Sequence, residues 1–566
     1  MDTRYNHFAI PKKEPMKPKY KKYRQWMLIV ALALFLWNCS DDDNNAEGDG
    51  LSRMFTPGKI DAESRTTSVK LTWQPSLYTG GLDVTYTVQV SRDTLFADAS
   101  GVEYEEVVDT AGITLTDENI AARRKYFARI KANALDNTAE SYWMTSGSFA
   151  IQGVQNMLPV YDPERRATSV TLRWKEGTEF NRMEMTPVIG AEENGEAILG
   201  DPVEIPLNAD DVASGFKVLE NLEPRRSYQV EIYQNSSSMG YVAFTTRLQT
   251  VYAYTVSPGD DLKAVIDNAG DGEVIGLEPG VYELSGTKFN IDGKTVVLMS
   301  TSGNPENTIL RTNQFTLMND NAGLSFSGIT FDLGGNLYFL DVASGAGATF
   351  KNVKVNNCII ENAATSAFRT DRADLYRIDT IQFSNTRFRN MEGSNYWMLH
   401  IEKTEVKLLE LDNCTVNNIG RGIIRMTKSL DMAPKVVINH CTFNNFGGNG
   451  TNNTLFDGGS NIIDLTIQNS ILANMPYEGS TVGTSVLRVN NDAAKVNISN
   501  NNFYNLTADG EQFATFPDYS YLTMQNNLEE TLDWNASTED FSLPQDSPLR
   551  TLSTEGRALG DVRWTY

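Results

Sequence analysis

Between residues 323 and 505 apolar and polar positions alternate in short runs, and the runs recur at a nearly constant interval. Each repeat carries one phrase, in which Asn and a small residue precede an apolar residue and a closing Asn. The copies are Asn357-Cys358-Ile359-Ile360-Glu361-Asn362, Asn385-Thr386-Arg387-Phe388-Arg389-Asn390, Asn413-Cys414-Thr415-Val416-Asn417-Asn418, His440-Cys441-Thr442-Phe443-Asn444-Asn445, Asn469-Ser470-Ile471-Leu472-Ala473-Asn474 and Asn501-Asn502-Phe503-Tyr504-Asn505. The closing Asn falls at 362, 390, 418, 445, 474 and 505, in steps of 28, 28, 27, 29 and 31 residues. A fixed period in this range signals a solenoid. Strands this short and this strictly alternating make it a β-solenoid.

Alternation with period two sends one set of side chains inward and the other to solvent, and stacked turns place like positions in columns about 4.8 Å apart. Cys358, Thr386, Cys414, Cys441 and Ser470 form a small internal column, and Ile360, Phe388, Val416, Phe443 and Leu472 fill the bore. The closing Asn residues form a ladder at a bend, where Asn tolerates left-handed backbone. Before the repeats, Leu262, Val265, Ile266 and Ala269 recur at helical spacing, which predicts a helix over 260–269 capping the open end of the solenoid.

Upstream, Thr67-Ser68-Val69-Lys70-Leu71-Thr72-Trp73 returns 101 residues later as Thr168-Ser169-Val170-Thr171-Leu172-Arg173-Trp174. Alternating strands that end in Trp and repeat at this distance suit two immunoglobulin-like sandwiches. The second resembles fibronectin type III domains through Leu222-Glu223-Pro224 and Tyr228, where a Tyr hydroxyl ties back to upstream backbone; the first keeps only Tyr126-Phe127-Ala128-Arg129-Ile130 there.

At the N-terminus eight basic residues precede an apolar run of 11 over 27–37, too short to span a bilayer, so the segment reads as an export signal, with Met1 or Met16 as its start. It resembles a bacterial lipoprotein signal, with Cys39 as the lipidated residue. The acidic run that follows resembles the surface-export tag of Gram-negative glycan-uptake lipoproteins. From Cys39 onward 41 Lys+Arg face 70 Asp+Glu, since eight of the 49 and two of the 72 lie before it, a net of −29. Such a surface repels nucleic acid and anionic lipid. Cys358, Cys414 and Cys441 share one column as buried fillers rather than a disulfide framework, and with three histidines in the chain a zinc site is not expected.

The stretch Gly272-Glu273-Val274-Ile275-Gly276-Leu277-Glu278-Pro279-Gly280-Val281-Tyr282, with Lys294-Thr295-Val296-Val297-Leu298, resembles the opening of pectate-lyase-like β-helix proteins. That resemblance, not the spacing, implies a right-handed helix. The expected all-β organisation is a signal peptide over 1–38, an acidic linker over 39–53, fibronectin type III-like modules over 54–151 and 157–249, a pectate-lyase-like β-helix over 252–527 and a C-terminal cap or tail over 528–566. The tail, with Leu559-Gly560-Asp561-Val562-Arg563-Trp564, resembles the end of surface lipoproteins that pair fibronectin modules with such a helix.

Chemistry concentrates in a third strand column, where Leu340, Phe368, Leu399, Ile424, Phe456 and Leu487 point inward and Asp341, Arg369, His400, Arg425, Asp457 and Arg488 point outward, with Asp371 and Glu402 two residues further along the same face. Arginines in a row suit bidentate recognition of carboxylates along a uronate chain. Asp371 and Glu402 are the candidate calcium ligands. The expected function is binding of an extended, acidic, pectin-like polysaccharide by a lipid-anchored outer-membrane protein facing the cell exterior, beside glycan-uptake transporter components. A polysaccharide lyase on the same face, with Arg425 or His400 as base, is the alternative. A salt-bridge ladder in an adhesin is the third. Arg372, Asp374, Arg377 and Asp379 read as a solvated loop, and Trp397 as core.

Overall fold

The computed structural model describes residues 52–96, 101–175, 179–191, 197–345, 347–393, 395–448, 453–480, 485–508, 511–512 and 516–565. Cys39 and the segment expected to act as an export signal lie outside the described residues. Among the described residues no helix is long and apolar enough to cross a membrane. The chain divides into two compact units, Met1–Ile151 and Gln152–Tyr566.

The first unit is a sandwich of two antiparallel sheets. Ser68–Trp73 lies between Ile60–Ser64 and Gly112–Thr116, and the facing sheet runs Val102–Val108, Tyr86–Ser91, Phe127–Ala132 and Met144–Thr145. Val69, Leu71 and Trp73 are buried while Lys70 and Thr72 are exposed, so strand alternation builds the core directly. The Tyr126 hydroxyl accepts the Ala121 N–H at 3.1 Å. This module therefore has the tyrosine tie for which its sequence offered the fainter motif.

The second unit opens on a sandwich of the same kind, in which Val170–Arg173 pairs with Phe216–Leu219 and Arg182–Ala191 pairs with Ser227–Gln234. Its Tyr228 hydroxyl accepts the Glu223 N–H at 2.9 Å, again five residues upstream.

A right-handed parallel β-solenoid of about eight turns follows. The predicted bore column is in register, with Ile360 opposite Phe388, then Val416, Phe443, Leu472 and Phe503 on successive turns. Cys358, Cys414 and Cys441 are buried free thiols in the small column. Asn362, Asn390, Asn418, Asn445, Asn474 and Asn505 all have positive φ, between 49° and 59°. The ladder is wired in part side chain to side chain: Asn445 Nδ2 donates to Asn418 Oδ1 and Asn505 Nδ2 to Asn474 Oδ1, both at 2.7 Å. A second left-handed column opens the phrase, at Asn357, Asn385, Asn413, His440, Asn469 and Asn500. Each turn thus bends twice at a residue whose amide or ring reaches a neighbouring group.

The predicted cap is the helix Leu262–Asn268. Asp261 accepts the Ala264 N–H at its start, Lys294 Nζ donates to the carbonyls of Ile266, Asp267 and Ala269 at its end, and Leu262 and Ile266 face the bore. The tail seals a flank, not an end. Leu532, Trp534, Phe541, Leu543, Leu549, Ala558 and Leu559 pack on the outward Ile471 and Ala473, while Thr415 Oγ1 donates to Asp561 and Trp564 Nε1 to Thr415 Oγ1, each at 2.7 Å. Arg563 Nη2 donates to the Tyr161 hydroxyl at 2.9 Å, which ties solenoid, tail and second sandwich together.

Candidate functional site

The third strand of each turn supplies the candidate residues. Tyr338–Val342, Ser366–Arg369, Leu399–His400, Ile424–Arg425, Asn453–Gly459 and Ser485–Val489 stack in parallel. Their register places Asp341 opposite Arg369, then His400, Arg425, Asp457 and Arg488 in one unbroken column. Leu340, Phe368, Leu399, Ile424, Phe456 and Leu487 fill the bore behind it. The predicted column therefore exists residue for residue.

Its burial differs from the expectation. Asp341, Glu402 and Asp457 are each 2% exposed and His400 7%, whereas the side chains of Arg425 and Arg488 are 30% and 40% exposed. The carboxylates lie under the guanidinium groups, because a short acidic side chain ends near the sheet while a long basic one reaches water with its head. Arg488 holds Asp457 through two bonds, Nε to Oδ1 at 2.8 Å and Nη2 to Oδ2 at 3.0 Å. Arg425 Nε donates to Glu402 Oε1 at 2.8 Å, and its Nη1 lies 3.9 Å from Asp457. The face is thus a ladder of mutually compensated charges, not a bare row of cations.

Arg369 is held differently. Its guanidinium lies between two rings, 4.8 Å from the centroids of both Tyr338 and Tyr396. Nη2 donates to the Asp371 carbonyl at 2.9 Å, and Nε is buried without a hydrogen-bond partner. Arg372, expected in a solvated loop, instead pairs with buried Asp341. Arg377 and Asp379 lie on the strand Tyr376–Ser384, where they pair with Glu405 and Lys407. Trp397 is core. Tyr396 spends one face on Arg369 and packs edge-on against His400 at 4.9 Å.

His400 accepts the Trp397 N–H at Nδ1, 3.3 Å away, which fixes the neutral tautomer with its proton on Nε2. Burial lowers its pKa to about 4, against the opposing pull of Glu402 and Asp371. Burial alone would raise the Glu402 carboxyl, but hydrogen bonds from Thr427, Arg425 and Lys428 outweigh it and hold the group below its ordinary value.

Calcium does not fit the expected pair. Both Glu402 oxygens are occupied by donors: Arg425 Nε and Thr427 Oγ1 on one, the Thr427 and Lys428 N–H groups on the other, at 2.6–2.8 Å. A calcium ion takes six to eight oxygen ligands, and among the described residues no three His, Cys, Asp or Glu side chains gather to hold a metal. Tyr338 and Arg372 are the members that sequence reasoning missed. Tyr338 stands three residues before Asp341 on the same strand, a placement visible once the column is drawn.

No family model matches the chain, and no curated protein matches it. Among solved structures it is similar to the chicken CNTN1 FN1-FN3 domains, at 14% identity over 35% of this chain and 69% of that chain, with a TM-score of 0.15. It is also similar to a two fibronectin type-III domain segment from chicken tenascin, at 15% identity over 34% of this chain and 99% of that chain, with a TM-score of 0.17. These likenesses concern the sandwich fold alone. The fibronectin-like architecture itself rests on the strand order and tyrosine ties described above.

Proposed function

We propose that this chain is a lipid-anchored surface protein that holds an extended acidic polysaccharide along the Arg369–Arg488 column, as part of a glycan-uptake system. The observation that carries the reading is the pair Arg425 and Arg488, two half-exposed guanidinium groups on one straight column. The bonds to Glu402 and Asp457 use Nε of Arg425 and Nε and Nη2 of Arg488. The remaining terminal nitrogens can meet a carboxylate in water. A compensated face gives modest affinity per contact, so a long ligand touching several turns is the fitting partner.

The geometry favours holding over lyase chemistry. A general base needs a pKa near working pH, whereas His400 is buried with a pKa lowered to about 4 and Arg425 is tied to Glu402. Affinity electrophoresis through gels containing polygalacturonate tests the proposal. Retardation that Arg425→Ala and Arg488→Ala together abolish supports it, and migration unchanged by the polymer defeats it. Steady formation of unsaturated uronide would establish the lyase alternative instead.

A further inference from the structure

Two arginines meet over the turn of Asp457. Arg425 and Arg488 leave the sheet two turns apart, about 9.6 Å at strand spacing. Both then lean on the turn between them, one from each side. Arg488 Nη2 lies 3.0 Å from Asp457 Oδ2, and Arg425 Nη1 lies 3.9 Å from the same oxygen. Laid end to end, these distances put the two nitrogens at most about 7 Å apart. Asp457 lies beneath, with 3% of its side chain exposed, while 30% of Arg425 and 40% of Arg488 reach water. A ligand on this turn therefore meets guanidinium edges, not the carboxylate that draws them together.

Each guanidinium keeps unspent donors. Glu402 takes Nε of Arg425, and Asp457 takes Nε and Nη2 of Arg488. Among the described residues, Arg425 Nη2 and Arg488 Nη1 have no hydrogen-bond partner, and Arg425 Nη1 stands beyond hydrogen-bond distance of Asp457. Two charge-assisted bonds of about 2.8 Å, one to each oxygen of a single carboxylate, span a gap of this size. A second carboxylate in the same gap would repel the first.

Among the described residues the column has no second open pair. Arg369 and Arg372 lean on Asp341 in a similar way, but Arg369 is shut between Tyr338 and Tyr396 with 11% of its side chain exposed. His400 is buried and neutral. Further carboxylates on the same ligand thus find no matching fork, and the chain as a whole is acidic.

Resting on the polysaccharide reading above, we propose that Arg425 and Arg488 share one carboxylate. The ligand is then a glycan whose free uronates stand singly among uncharged sugars, not in an unbroken run. The pair anchors the glycan at one sugar, and added charge on its neighbours brings no added affinity.

Isothermal titration of the full chain tests this with three tetragalacturonates. One has every carboxylate free, one has a single free carboxylate with the rest methyl-esterified, and one is fully esterified. The singly charged tetramer should bind about as tightly as the fully free one, and about tenfold more tightly than the fully esterified one. On the singly charged tetramer, Arg425→Gln and Arg488→Gln should each weaken binding about tenfold, because both hold the same group. Circular dichroism checks that both variants fold. If the arginines served separate carboxylates, the one left intact would receive the lone carboxylate, and neither change would cost more than about twofold. That result, or a fully free tetramer about tenfold tighter than the singly charged one, overturns the sharing while leaving the site intact. Binding that ignores charge, or no binding at all, removes the site itself and this inference with it.

Discussion

Arg488 lies fork-on on Asp457, with both carboxylate oxygens engaged at 2.8 and 3.0 Å, yet the two partners differ sharply in burial, 40% against 3% of their side chains exposed. The asymmetry decides what each deletion does. Removing the guanidinium strands a buried carboxylate whose nearest other help is the Gly459 N–H at 3.2 Å and Arg425 at 3.9 Å. Removing the charge on Asp457 leaves two guanidinium groups that already touch water. Arg488→Ala should therefore lower stability by about 1–3 kcal/mol, and Asp457→Asn by about 1 kcal/mol or less. Denaturant midpoints of the solenoid transition check the order, and the reverse ranking would contradict the burial described here.

His400 links the column to pH. Its ordinary value of 6.5 falls to about 4 in the fold because burial disfavours the imidazolium. The unfolded chain takes up a proton near pH 6.5 that the folded chain refuses, so the contribution of His400 to stability is complete above that pH and is lost as pH falls toward about 4. His400→Asn should flatten this part of the stability profile between pH 6.5 and 4. The wild-type chain has three histidines, so the ring resonance that titrates near pH 4 can be assigned by its loss in this variant. Titration of that resonance near 6.5 would mean the ring is solvated.

Much of this column was legible in the chain because a parallel solenoid stacks without stagger. Once Phe368, Leu399, Ile424, Phe456 and Leu487 are aligned as inward residues, their neighbours must share a line. Burial was not legible, because it depends on what stands over the strand. Alternation places Asp341 and Asp457 on the outer side of the sheet, but Arg372 and Arg488 then fold across them from other turns. The same limit hid the tail's position. Thr415, Thr442 and Ile471 follow Arg387 on successive turns, and the packing of Leu532, Trp534 and Leu559 against Ile471 explains why this column loses its charges toward the C-terminus. Arg387 and Arg389 mark where the flank is still charged, pairing with Glu306 and Glu361.

Tyr161 is the point where the second sandwich meets the solenoid. Its hydroxyl accepts from Arg563 Nη2 at 2.9 Å and from Asn413 Nδ2 at 3.3 Å, and its ring lies 5.8 Å from the Arg563 guanidinium carbon. Tyr161→Phe keeps the ring and removes the acceptor. Arg563 retains the Asn385 carbonyl at 2.8 Å and Asn413 retains Asn385 Oδ1 at 2.7 Å, so the loss should be about 1–2 kcal/mol. Hydrogen exchange should quicken at 161–165 and 561–565 while the bore strands keep their protection. A uniform loss of protection would show that the contact is not local.

The Asn ladder makes a prediction that separates backbone from side chain. Asn418 has φ of 58° and its Oδ1 accepts Asn445 Nδ2 at 2.7 Å. Glycine at 418 satisfies the left-handed backbone and loses the amide bond, which costs about 1 kcal/mol. Alanine loses the same bond and adds a strained φ worth about 1–2 kcal/mol, so Asn418→Ala should be the more damaging change. Asn474 sits at the same bend under the tail, where its amide also donates to Asn444 Oδ1 at 2.7 Å and to the Trp534 carbonyl at 3.0 Å, and its Oδ1 receives Asn505. There glycine frees the backbone but leaves two buried partners, Asn444 and the Trp534 carbonyl, unmatched, along with the exposed Asn505, a loss of about 2–4 kcal/mol. Urea midpoints for Asn418→Gly, Asn418→Ala and Asn474→Gly should therefore fall in that order. If the two glycine variants matched, the ladder's amides would be wetted at both positions and the bends would be held by backbone preference alone.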